Sequence, residues 1–374
     1  MAFVKNLFFT VTVLFGLYSV FYLVAFQKYQ TDLNLVQNQA NSIFFLLNTP
    51  GSKQAIEQIA RVQSMTGARR PVFGGLPSVL DSYWGEKTNY PKIADQLKTI
   101  IIAYKSQLDG FQLNGIDLGG SQLEKASLRG AILQEANLSR ASLQEADLRN
   151  ADLRKAKLHG ADLRKARLGG ADLTYAKLIG VNFSGADLQG TKLAGTKLKG
   201  TDFNQALLEG ADFSQAYFSG ADFSKTDLTG TILEDAHLEG ADFTLAQFNK
   251  ANLRNAHMRK INLFTASLRQ ANLKGADLRE ADLRGVNLKG ADLGEVTLNQ
   301  ANLSGGDLTG VNLQGANLKD ADLRGTTLNH AKLKDALNLT CKQIGEAILD
   351  KKSARFPDYI TFKWISGDSY ECKD

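Results

Sequence analysis

Every fifth residue from Leu113 to Leu333 is large and apolar, with no insertion in the run, and this period constrains the fold more than any other feature. Of the forty-five centres, thirty-seven are Leu, seven are Phe and one is Met258, so the position accepts only bulky hydrocarbon. The residue two before each centre is Ala in thirty cases and otherwise mostly small or β-branched, as at Val181, Thr191, Thr196, Thr201 and Val286. The residue between them is often Asp or Asn. The pattern is most regular from Ala151 to Gly180, ADLRKAKLHGADLRKARLGGADLTYAKLIG.

A period of five suits neither a helix, at about 3.6 residues per turn, nor a strand with alternating faces, because neither keeps the apolar residues on one side. A coiled path does. If each five forms one side of a square turn, the large centre and the small residue two before it point into a narrow shaft while the other three face water. Four fives close a coil, and coils stack at strand spacing, about 4.8 Å, so that buried amides pair between them. The Gly that ends many fives suits corners with positive φ.

The motif A-(D/N)-L-x-x, as in ADLRG at Ala321 and ANLKG at Ala271, resembles the pentapeptide repeat family across residues 111–335. The resemblance implies an all-β solenoid, a right-handed quadrilateral β-helix of about 11 coils, on the order of 50 Å long at strand spacing.

Four regions are expected: a transmembrane anchor at 1–28, a mostly helical membrane-proximal region and N-cap at 29–110, the β-helix at 111–335, and a C-terminal cap at 336–374. Residues 6–26, NLFFTVTVLFGLYSVFYLVAF, carry no charge and as a helix reach about 30 Å, a bilayer core. They predict a single-pass membrane protein with its N-terminus inside and the repeats extracytoplasmic, Lys5 standing against a nearly balanced Lys28 and Asp32. The alternative is secretion after signal cleavage, opposed by the length of the apolar run and the lack of an A-x-A site before Gln27. Pro91 opens a predicted helix with Ile93, Leu97, Ile100, Ile101 and Tyr104 at helical spacing, ending near Leu108. Past Asp335 the phase fails, and a helix is predicted from about Thr340 to Lys351 in the cap that a last repeat requires. Cys341 and Cys372 both fall there; they are expected as a disulfide outside the cytoplasm and as free thiols within it.

Residues twenty apart should stand one above another. Phe183, Phe203, Phe223 and Phe243 form one inward column, read as core. Lys157, Lys177, Lys197, Tyr217, His237 and His257 form an outward one. Charge drifts along the chain, residues 151–200 summing to +6 and 201–240 to −7. The basic belt of Arg154, Lys155, Lys157, Arg164, Lys165, Arg167, Lys177, Lys192, Lys197 and Lys199 is the candidate partner-binding surface. With the acidic belt around Glu234, Asp235 and Glu239 it makes a bipolar surface suited to a protein partner or a second copy.

No P-loop, HExxH motif or paired CxxC occurs, nor a nucleophile with its base, so no catalytic residue, cofactor or metal site is assigned. His237 and His257, with Asp235 or Glu239 as oxygen donor, come nearest to a ligand set but do not close one. The expected function is a membrane-tethered, non-enzymatic scaffold that presents the solenoid to a protein. The resemblance implies a second reading, since some pentapeptide repeat proteins mimic DNA and inhibit DNA gyrase. That mimicry needs an acidic rod, whereas residues 111–335 sum to +1. Binding of anionic lipid or nucleic acid by the basic belt is a third, with steep salt dependence as its mark; the near-neutral total disfavours nucleic acid.

Overall fold

The computed structural model describes residues 19, 22–40, 42–43, 91–218, 220–349, 355–366 and 369–373. The chain divides into two compact units, one comprising residues 1–105 and 111–118, the other 106–110 and 119–374. In the first, residues 22–40 are helical (α1), and α2 spans Pro91–Ala103, ending earlier than its apolar spacing predicts.

The spanning helix expected at 6–26 lies largely outside the described residues. Among those described, no helix is long and apolar enough to cross a membrane. The described stretch of α1 turns polar at Gln27, Lys28, Gln30, Thr31 and Asp32. The single-pass localisation with an extracytoplasmic solenoid is corrected accordingly.

The second unit is a coil of parallel bridges. Gln122 pairs with Ser142, Ser127 with Asp147, Ile132 with Asp152 and Asn137 with Lys157, and the twenty-residue offset continues to Asn317–Leu337. Four bridge columns per coil define four faces, here the first (Lys157), second (Asp162), third (Arg167) and fourth (Asp172). Centres and small residues are buried throughout, as at Leu153 and Ala156, both 0% exposed. Three backbone bonds recur, shown by Leu153 N–H to Asp172 O (2.7 Å), Asp172 N–H to Ala151 O (2.9 Å) and Ala156 N–H to Leu153 O (3.0 Å). They satisfy the N–H and C=O of the centre, of the residue before it and of the small residue, which is why an unbroken five-residue phase is stable as a shaft.

The second of the two variable residues takes a positive φ whatever its identity: +63° at Gly160, +58° at Lys155 and +54° at Thr265. The corner is therefore imposed by the coil, and glycine only makes it less costly.

The outward Asp or Asn before each centre has a structural task. Its Oδ1 accepts the backbone N–H two residues on, at distances such as 2.8 Å (Asp202 from Asn204) and 3.3 Å (Asn252 from Arg254). This Asx bond closes the turn locally. Where the capped residue is Arg, its guanidinium folds back on the same carboxylate, as Arg154 does on Asp152 (Nε–Oδ1 2.9 Å, Nη2–Oδ2 2.7 Å). The Arg154 hydrogen bonds hold the Asp152 carboxyl down at about 2, and Arg149, Arg164, Arg279, Arg284 and Arg324 lower Asp147, Asp162, Asp277, Asp282 and Asp322 in the same way. Because these carboxyls are depressed in the folded state, they stabilise it fully above their unfolded value of about 3.9 and progressively less as pH falls through their lowered folded values, about 2 for Asp152. The thermal midpoint followed by circular dichroism should therefore be level from pH 6 to 5 and drop between about pH 4 and 2; a midpoint that stays level to pH 2 would refute this.

Seven Phe centres crowd one stretch of the shaft. Phe183, Phe203, Phe223 and Phe243 stack with centroids 5.1, 4.8 and 5.2 Å apart, and Phe213, Phe218 and Phe248 abut them from other faces. Among the described residues no backbone hydrogen bond within 3.5 Å joins 201–208 to 220–229 and Leu207 is not bridged to Asp227, although Asp202 remains bridged to Asp222 and the bonds on either side are intact. The lapse coincides with rings at 203, 213, 218 and 223, which fill more volume than the Leu of other coils and crowd the shaft there.

At the C-terminal end, Thr340 caps α3 (Cys341–Glu346) in a reciprocal capping box with Gln343. The helix is shorter than predicted because Ile348 returns to the ladder opposite Thr327, and Arg355 opposite Lys332. Buried Gln343 donates from Nε2 to the carbonyls of Leu318 and Ala321, both at 2.9 Å. A hairpin follows, β1 (Thr361–Ser366) antiparallel to β2 (Ser369–Lys373), and a disulfide links Cys341 to Cys372.

Candidate functional site

The ten cations of the basic belt do not form one surface. A coil turns through a new face every five residues, so a run of sequence is spread around the shaft. Arg154 and Lys192 fall on the fourth face, Arg164 on the second and Arg167 on the third, while Lys155 and Lys165 occupy corners with φ of +58° and +57°. Arg154 and Arg164 are each bound to their own turn carboxylate, Asp152 and Asp162, and Lys192 lies 4.0 Å from Asp172. Four remain together on the first face: Lys157, Lys177, Lys197 and Lys199. None of these four has an ion pair among the described residues. The acidic belt is dispersed too, with Glu234 on the fourth face, Asp235 at the corner after it (φ +55°) and Glu239 on the first face. The expected bipolar surface therefore does not exist as two facing patches.

The first face differs from the others in its turns. At Asn137 the Asx bond is made, to Ser139 N–H at 3.2 Å, and it resumes at Asp277 with Arg279 N–H at 3.2 Å. In the six coils between, the position is Lys157, Lys177, Lys197, Tyr217, His237 and His257, bridged one to the next. None of these side chains accepts that bond. Elsewhere, beyond the first coils, the substitution occurs singly or in pairs, such as Arg167, Lys192, Ile232, or Gln247 with Ser267. A net contribution of about 0.5–1.5 kcal/mol per turn is thus absent six times in succession along one face.

Three neighbours that the charge pattern does not reveal complete the lysine column. His159, Tyr175 and Ile179 line a shallow groove with Lys177 and Lys197. Tyr175 is 59% and Ile179 42% exposed, so both present apolar surface to solvent beside the cations. Gly195 positions the ring: a Cβ there would stand 2.3 Å from Tyr175 Cε1, so only glycine lets the tyrosine lie across the next coil. The signal in the sequence is the twenty-residue spacing of Tyr175 and Gly195.

Geometry of this kind, a shaft of four bridged faces with varied side chains confined to the outside, defines a β-solenoid that displays side-chain ladders. Residues 106–143, 131–170, 166–205, 198–235 and 297–335 match the family model for pentapeptide repeats, and 231–308 match that for a pentapeptide repeat region. The chain belongs to the pentapeptide repeat family. Among solved structures it is similar to HetL, a pentapeptide repeat protein involved in heterocyst differentiation regulation in the cyanobacterium Nostoc sp. strain PCC 7120, at 28% identity over 71% of this chain and 97% of that one, with a TM-score of 0.27. It is also similar to a pentapeptide repeat protein of the Arabidopsis thaliana thylakoid lumen (35% identity, 29% of this chain, 69% of that one, TM-score 0.14). A third is the full-length plasmid-mediated fluoroquinolone resistance protein QnrB1 (20% identity, 54% and 86%, TM-score 0.19). No curated protein matches the chain.

Proposed function

We propose that this protein is a non-enzymatic binding scaffold whose first face docks an acidic segment of a protein partner through Lys157, Lys177, Lys197 and Lys199. The observation that carries the reading is the run of six successive coils on that face without the residue that closes the turn, where other faces give it up only singly or in pairs. Loss of a stabilising bond at one register, coil after coil, is what selection for a surface rather than for the fold produces. The lysines stand one strand spacing apart and have no carboxylate of their own, so an extended acidic chain can follow the column. Tyr175 and Ile179 beside it supply apolar contact, which favours a protein over a bare polyanion. A DNA mimic presents carboxylates, and this face presents the opposite charge.

Carbodiimide coupling tests the idea directly, since it joins an ammonium only to a carboxylate in contact with it. Adducts at Lys157, Lys177 or Lys197 to Asp or Glu of one partner are expected in native extracts. The triple variant Lys157→Asn/Lys177→Asn/Lys197→Asn should lose that partner while its stability rises, by roughly 0.5–1.5 kcal/mol for each turn bond restored. Retention of the same adduct partner by the triple variant would sink the proposal. So would salt-sensitive binding of duplex DNA or anionic vesicles, lost in the variant, in place of a protein adduct.

A further inference from the structure

Beyond the lysines, the same face carries a cluster that the partner reading does not use. His237 and His257 are bridged on successive coils, their rings parallel within 5° and 4.5 Å apart. Tyr217 covers the other side of His237 at 4.3 Å, also within 5°. Glu239, two residues after His237, sets its carboxylate 3.7 Å from His237 Nδ1. One ligand atom from each of His237, Glu239 and His257 lies within 4.8 Å of the other two.

The surroundings leave that carboxylate available. The cation one coil on in its column, Arg259, hydrogen-bonds instead to Glu280, which also takes Lys260 at 3.3 Å. Both histidines stand where the coil normally places its turn-closing Asp or Asn, so the fold does not explain them. Two imidazole nitrogens and one carboxylate oxygen form the donor set of a borderline-soft divalent ion, whereas Ca²⁺ and Mg²⁺ require oxygen shells.

We propose that His237, Glu239 and His257 bind one divalent transition-metal ion, represented by Zn²⁺, with water completing the coordination. Bonds of about 2.0–2.2 Å draw the three donor atoms closer than they now lie. Rotation about the side-chain torsions of these solvent-facing residues achieves this without moving the ladder.

Calorimetric titration of zinc chloride into the full chain, previously treated with chelator, tests the site. The wild type should take up one equivalent saturably, and magnesium chloride should give no saturable heat. His257→Asn is the informative variant, because Asn is the residue that other coils use at this position and it keeps the fold, as circular dichroism will show. It should weaken zinc binding by roughly ten- to hundred-fold or more, and Glu239→Gln should weaken it too. His159→Ala and His330→Ala, which remove the other two histidines, should bind as the wild type does. Absence of saturable zinc binding, or binding unaltered in His257→Asn, would overturn the site. His257→Asn and Glu239→Gln leave the lysines and their groove untouched, so the metal site and the partner surface stand or fall separately.

Discussion

Replacing Phe243 by Ala is expected to cost about 3–5 kcal/mol, the range for deleting a fully buried aromatic ring. Phe243 is 0% exposed, stacks on Phe223 at 5.2 Å and meets Phe218 and Phe248. Its backbone is held in the ladder by the bond to Asn262 O at 2.9 Å, so the cavity cannot collapse by coil movement. A solenoid's energetics are close to nearest-neighbour, and the damage should remain local. Hydrogen exchange at Phe223, Phe243 and Asn262 should quicken while exchange near Leu153 is unchanged. Phe203→Leu makes the contrast. It removes volume where the ladder lapses, so its cost should stay below about 1.5 kcal/mol and below that of Phe243→Leu. Equal costs of Phe→Leu at 203 and 243 would mean that crowding does not cause the lapse in the ladder.

Reduction of the Cys341–Cys372 disulfide, or Cys372→Ser, should lower the stability of the C-terminal segment by about 3–4 kcal/mol, from the closure entropy of a loop of this length. The cross-link spans 31 residues of sequence and ties α3 to the far strand of the hairpin. Opening should expose the bonds that α3 and its successor make with the last coils, Ile348 N–H to Thr326 O at 2.7 Å and Leu328 N–H to Ile348 O at 2.9 Å. Exchange at these two amides, with and without reductant, is the measurement. Unchanged protection would show that the buried Gln343 and the ladder hold the segment without the cross-link.

The inward half of the solenoid was legible residue by residue. Leu153, Leu158 and Leu163 recur at a phase that only a coil can bury, and the stacked Phe column follows from that phase and a twenty-residue coil. The candidate surface was less legible. Arg154 and Lys157 are three residues apart and look like one basic patch, yet a corner separates them, and Arg154 is occupied by Asp152. Tyr175 and Ile179 carry no charge and stand outside the charge pattern, and Gly195 beneath the tyrosine ring marks them only once coils are aligned. The helix expected to run to about Lys351 stops at Glu346, because pairing of Ile348 with Thr327 outweighs local helical propensity.

By itself the sequence determined which residues face the shaft, because an unbroken period of five has one way to bury its apolar members and pair its amides. Tertiary structure alone decided which cations share a face and lack a counter-ion, where the ladder lapses among the rings, and that Glu239 rather than Asp235 joins His237 and His257. The physical reason is distance along the chain. The shaft is specified by neighbours within five residues, whereas the ladders of a face arise between residues about one coil apart, whose side chains meet only when the coils are stacked.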